Sequence, residues 1–260
     1  MKNCKFQTNV GNINIALDEF FYKKIKNVLM IIEDTGKIEN TRIDISISKN
    51  LYSYELVFSN KRSIFYNIYE AIGAFFESLE LCIIEKSPFP IIHCSAIINK
   101  GKAFLFCADR NSGKSTLLIE AINKGYTPLT DDFVFLDSIN AMGLNLPLKS
   151  RMINDNCLKF INCEEEKCLV KVPSLYTVNN CKYEIGAIYI IKYNNNIKGI
   201  KVEKLKGKKI IDKMIRQFKK TISPKELYLN LSRISNKIPV YTLEYSSCDY
   251  VFNFMENEHE

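Results

Sequence analysis

Residues 102–121 read K-A-F-L-F-C-A-D-R-N-S-G-K-S-T-L-L-I-E-A. An apolar run ending at Cys107 gives way to a polar stretch, and from Lys114 onward helix-forming residues take over. Strand, loop and helix in that order are the context that the phosphate-loop template G-x-x-x-x-G-K-[ST] requires. The template matches at Gly113, Lys114 and Ser115 and places Ala108 where its first glycine belongs. In such a loop, backbone N–H groups and a helix N-terminus converge on one anion, a lysine reaches the terminal phosphates and a hydroxyl holds a metal ion. Asn111, Ser112 and Gly113 supply the turn, Lys114 the cation and Ser115 the metal ligand, with Thr116 next in the helix. Position 108 only exits the strand, where alanine costs little unless φ is positive.

Upstream, I-I-H-C-S-A-I-I-N (91–99) is a second apolar strand, joined to the first by the hairpin signal N-K-G. It carries His93, one of two histidines; the other, His259, lies in the acidic tail. Downstream, Gly125 stops the helix, and Y-T-P-L-T leads to Asp131 and Asp132 ahead of the strand F-V-F-L-D. Side chains alternate along a strand, but a twist at its edge can turn both carboxylates toward one ligand. One would then bind a metal ion and the other take a proton from an attacking hydroxyl. The competing reading is a solvated turn after Pro128.

Further out, N-I-N-I-A-L, T-R-I-D-I-S-I-S and Y-S-Y-E-L-V-F alternate as half-buried strands, and F-Y-K-K-I-K-N-V-L-M-I-I follows that pattern less closely. From Ser63 an apolar stripe at Phe65, Ile68, Tyr69, Ile72, Phe75, Phe76 and Leu79 predicts an amphipathic helix that S-P-F-P ends. Residues 1–88 thus form a small α+β region and 89–260 a nucleotide-binding catalytic domain. Within the latter, 184–203 reads as a hairpin about N-N-N with a central first strand. Gly207–Lys220 reads as an amphipathic basic helix able to receive an acidic peptide stretch, Ser223-Pro224 as a helix start, and P-V-Y-T-L-E-Y as a last strand.

The 260 residues are 47% hydrophobic and 25% charged, ordinary for a packed domain, and the net charge of +7 comes mostly from dispersed lysines. With no nucleic-acid-binding module, charge alone does not point to nucleic acid. The polar start and the lack of a long apolar run predict a cytoplasmic protein that does not engage membranes. Nine cysteines, several in apolar strands, fit reduced thiols, and Cys157, Cys163, Cys168 and Cys181 lack the paired spacing of a zinc knuckle.

Taken together, His93, G-K-S at 113–115 and G-Y-x-x-L-x-D-D at 125–132 resemble the catalytic domain of the HPr kinase/phosphorylase family. Residues 90–140 carry the resemblance, and the later pattern is similar to short HPr-kinase-like proteins found with modified-peptide pathways. The resemblance implies an α/β fold with a mixed central sheet, like that of phosphoenolpyruvate carboxykinase. It implies an ATP- and magnesium-dependent kinase acting on a serine or threonine hydroxyl of a peptide or small protein, and it allows a homo-oligomer. Lys114 would contact the β and γ phosphates, Ser115 and Asp132 would hold magnesium, Asp131 would be the general base, and His93 would orient Asp131. Asn111 to Thr116 would cradle the nucleotide. The family's R-G-x-G segment is missing; L-P-L-K-S-R-M-I-N-D (146–155) stands there, with Lys149 and Arg151 as replacement phosphate ligands or surface residues. A small-molecule hydroxyl kinase and a non-catalytic nucleotide-responsive module are the alternatives.

Overall fold

The computed structural model describes residues 1–8, 11–26, 29, 32–33, 43–109, 112–144, 146–150, 158–162, 165–170, 181–220 and 223–258. The chain divides into two units, one of Met1–Ser87 with Asn145–Tyr176 and one of Pro88–Leu144 with Thr177–Glu260.

The first unit opens with the antiparallel pair β1 (Lys2–Thr8) and β2 (Gly11–Leu17), then α1 (Glu19–Ile25). Asp18 caps α1 by accepting from the Phe20 N–H at 2.9 Å, so the start of F-Y-K-K-I-K forms a helix rather than a strand. The sheet continues through β3 (Ile32–Glu33), β4 (Ile45–Lys49), β5 (Tyr54–Phe58) and β6 (Lys61–Phe65), in the order β3-β1-β2-β4-β5-β6. Ser59 and Asn60, both at positive φ, turn the chain from β5 into β6. Ser63 to Phe65 therefore belong to a strand, and the predicted helix starts later as α2 (Ile68–Lys86), capped by Asn67. It buries Ile72, Phe75, Phe76 and Leu79 but leaves Tyr69 of the expected stripe exposed in its first turn, and it ends at Ser87, as the proline-rich stop requires.

The second unit begins with the hairpin β7 (Ile91–Asn99) and β8 (Lys102–Cys107), turning through Lys100 and Gly101 at φ of 47° and 76°. Then come α3 (Lys114–Asn123), β9 (Thr127–Thr130), β10 (Phe133–Asp137) and β11 (Asn140–Met142). Both β9 and β10 run antiparallel to β7, which they flank in turn, β9 opposite residues 96–98 and β10 opposite residues 91–93.

The chain next forms β12 (Leu148–Ser150), β13 (Leu158–Asn162) and β14 (Glu165–Val170), a small sheet of the first unit rather than of the region assigned to it from sequence. Its Phe160 is buried, and the Ile161 carbonyl approaches Gly73 of α2 so closely that a Cβ there would lie 2.0 Å from the oxygen. Lys149 pairs with Glu80 of α2, which gives it a structural role, and Arg151 lies outside the described residues. Cys168 is disulfide-bonded, against the expectation of reduced thiols, whereas Cys4, Cys82, Cys94, Cys107, Cys181 and Cys248 are in no disulfide.

Back in the second unit, β15 (Tyr183–Tyr193) runs parallel to β8 on one side and to β18 (Val240–Tyr245) on the other, the central place its apolar length predicts. β16 (Ile200–Lys204) pairs with β18, not with β15, so the expected hairpin is split by a strand arriving from later in the chain. The basic helix is shorter than expected: α4 covers Lys208–Met214, Ile215–Gln217 form a 3-10 turn, and β17 (Phe218–Lys220) pairs with Ile91 and Ile92 of β7. α5 (Pro224–Lys237) starts as predicted, with Ser223 accepting from the Glu226 N–H at 3.2 Å. α6 (Cys248–Glu258) completes the described chain.

The resulting sheet is mixed and runs β11-β10-β7-β8-β15-β18-β16. One face buries Ile92, Cys94, Leu105 and Ile188 with Met214 of α4 and Ile234 of α5. The other carries Phe104, Phe106, Tyr189 and Tyr241 stacked in a row, with Phe254 of α6 edge-on to the two tyrosines. The α/β class with a mixed central sheet is therefore what the chain forms. No helix among the described residues is long and apolar enough to cross a membrane.

Candidate active site

The loop between β8 and α3 leaves the sheet at Cys107, which pairs with Cys94 of β7. Ala108 is not among the positive-φ residues, so alanine at the first template position carries no backbone strain. Gly113 is different. It caps α3 at φ 87°, ψ 10°, and a Cβ there would sit 2.8 Å from the Tyr245 hydroxyl oxygen. Both conformation and space thus call for glycine at 113. Arg110 and the predicted ligand Asn111 lie outside the described residues. Ser112 is tied to the sheet through its carbonyl, which accepts from the Tyr193 N–H at 3.3 Å. Thr116 is exposed on the first turn of α3.

The carboxylates sit where β9 hands over to β10 along β7. The Phe133 N–H bonds back to the Asp131 carbonyl at 2.9 Å, closing a tight turn about Asp132, whose φ is 68°. Left-handed backbone at a residue other than glycine costs about 1–3 kcal/mol and gathers at functional sites. The turn is pinned by the Cys94 N–H, which donates to the Asp132 carbonyl at 3.1 Å.

This turn separates the two carboxylates. Asp131 is nearly buried; its Oδ1 accepts from Ser95 Oγ at 2.7 Å and its Oδ2 lies 3.5 Å from Ser115 Oγ. Asp132 is more open, with Oδ1 3.6 Å from Lys114 Nζ and 3.7 Å from His93 Nε2. His93 and Ser95 are two residues apart on one strand, so they project from the same face and each reaches one of the adjacent aspartates. The structure therefore brings His93, Lys114, Ser115, Asp131 and Asp132 together, with a correction to their pairing. His93 lies beside Asp132, where Asp131 was its expected partner, and Ser115 lies beside Asp131, where Asp132 was expected to share its metal ion.

Sequence reasoning missed Ser95, although its spacing from His93 was the available signal. It also missed Tyr193 and Tyr245 at the ends of β15 and β18, whose rings meet edge-to-face at 5.8 Å. Burial pushes the Tyr245 phenol well above its ordinary range, so it stays protonated and able to donate. Burial and the neighbouring Cys107 thiol likewise hold the Cys94 thiol up in pKa, so it is no nucleophile for the site.

Among the described residues no three His, Cys, Asp or Glu side chains cluster as a metal cage. The donors present suit magnesium all the same. Ser115 and Asp131 offer two hard oxygens 3.5 Å apart, close to the roughly 3 Å between neighbouring ligands of an octahedral magnesium ion, which commonly takes its other ligands from phosphate and water.

No family model and no curated protein matches this chain. Among solved structures it is similar to the HPr(Ser) kinase/phosphatase from Coxiella burnetii, at 10% identity and a TM-score of 0.33, with 65% of this chain and 99% of that one covered. A likeness at that score carries no weight for the chemistry, which rests on the distances above.

Proposed function

We propose that the protein is an ATP- and magnesium-dependent kinase that phosphorylates a serine or threonine hydroxyl of a peptide or small protein. The observation that carries this reading is the placement of Lys114 and Ser115, the first residues of α3, against two adjacent carboxylates with different partners. Backbone N–H groups of the loop and the N-terminus of α3 favour the phosphates, and Lys114 neutralises charge on the terminal ones. Ser115 and Asp131 would hold magnesium, with Ser95 fixing the Asp131 carboxylate. When bound, that ion shields phosphate charge and orients the transferred group.

Asp132 is then the base. It is the more exposed of the two, and His93 positions it from β7. The acceptor oxygen forms a bond to the γ phosphorus as the bond to the β–γ bridging oxygen breaks, ADP carries away the electron pair, and the hydroxyl proton passes to Asp132. Most of the catalysis is positioning and charge neutralisation.

The test uses labelled ATP, magnesium and a library of serine- and threonine-containing peptides. Transfer is expected with the wild-type protein. Asp132→Asn should abolish it while ATP binding persists, and Asp131→Asn should weaken magnesium-dependent ATP binding itself. Transfer by Asp132→Asn at the wild-type rate overturns the base, and unchanged ATP binding by Lys114→Ala overturns the loop. Nucleotide binding without transfer to any hydroxyl would leave a binding module.

A further inference from the structure

β8 lies between β7 and β15, so the loop that follows it has two flanks. His93, Asp131 and Asp132 occupy the β7 flank, which is where phosphoryl transfer takes place in the reading above. A triphosphate laid across the loop with its γ end there must leave on the β15 flank. At that flank stands Tyr193, the last residue of β15 and half exposed, its N–H bonded to Ser112 of the loop. In parallel sheets ligands gather at such carboxyl ends.

Two further observations point to a ligand here. Tyr193 is held edge-on by Tyr245, so its ring is braced although one side meets solvent. Tyr245 itself is 1% exposed, and its hydroxyl, packed against Gly113, makes no hydrogen bond among the described residues. A buried phenol with no partner among the described residues is placed to donate to a ligand, and a phosphate oxygen passing over Gly113 is such an acceptor.

We propose that Tyr193 is the platform on which the purine base of the nucleoside triphosphate stacks. This inference rests on the nucleotide-binding reading of the loop, and it adds the residue that selects a nucleotide over a bare polyphosphate.

Calorimetric titration with magnesium-ATP and with magnesium-tripolyphosphate separates the two. Tyr193→Ala should weaken ATP by about five- to a hundredfold and leave tripolyphosphate within about twofold, while Tyr193→Phe, which keeps the ring, retains ATP within about twofold. ATP binding by Tyr193→Ala equal to wild type overturns the platform, and so does an equal loss of both ligands, which would mean that Tyr193 only shapes the loop. Lys114→Ala serves as the control for the underlying reading: it should lose both ligands, and its binding both as tightly as wild type would overturn the loop rather than the platform.

Discussion

Ser95 donates its hydroxyl to Asp131 Oδ1 at 2.7 Å, with both residues buried in the sheet. A buried carboxylate needs such a donor, and its removal costs about 1–3 kcal/mol. Ser95→Ala is therefore expected to lower stability by that amount in urea denaturation. It should also raise the magnesium concentration needed for ATP binding, because the carboxylate proposed to bind the metal is no longer fixed.

Gly113 and Ala108 occupy the two glycine positions of the loop template and should respond oppositely. Gly113→Ala meets both a positive φ and the Tyr245 oxygen, and is expected to cost about 1–3 kcal/mol and to abolish measurable ATP binding. Ala108→Gly restores the template residue at a position with no strain to relieve. Its ATP affinity should match wild type, with a loss of about 0.5–1 kcal/mol in stability from added chain entropy.

His93 lies 3.7 Å from Asp132 with its side chain 28% exposed. His93→Gln should reduce the transfer rate by about a hundredfold through misplacement of the proposed base, Asp132. ATP affinity should hold, and stability should change by no more than about 0.5 kcal/mol. Rate, titration and thermal melt together distinguish a positioning residue from a structural one.

Gly73 gives a test in the first unit. On helix propensity alone Gly73→Ala would stabilise α2 by about 1 kcal/mol. A Cβ there would lie 2.0 Å from the Ile161 carbonyl oxygen, so the helix and β13 must separate. A net destabilisation of about 1–3 kcal/mol in thermal or urea unfolding is expected, as for overpacking elsewhere.

The strand-loop-helix core was legible because its signals are local: two apolar runs, a turn between them and a glycine stop. What escaped was non-local. Ile210, Met214 and Phe218 keep a helical rhythm, yet Phe218 is drawn into pairing with Ile92 of β7, and a backbone ladder outweighs propensity at a helix end. The hairpin expected at 184–203 failed because β18 inserts between its arms, and nothing in those arms announces it. At the site, His93, Lys114, Ser115, Asp131 and Asp132 could be named from sequence, but which side chain each aspartate lies beside could not, since the backbone between them turns at Asp132 with a positive φ that no local signal announces.

The small sheet of β12, β13 and β14 is supplied by a detour of the second unit's chain yet packs with the first. The polypeptide therefore passes between units three times, after Ser87, after Leu144 and after Tyr176. The second unit is consequently not a contiguous module that can be cut out at one bond. A fragment starting at Pro88 would carry Leu148, Phe160 and Leu169 without the α2 surface that belongs to their unit, and would be prone to aggregate. Trimming this protein to its second unit means removing 145–176 as well and rejoining the cut ends with a linker.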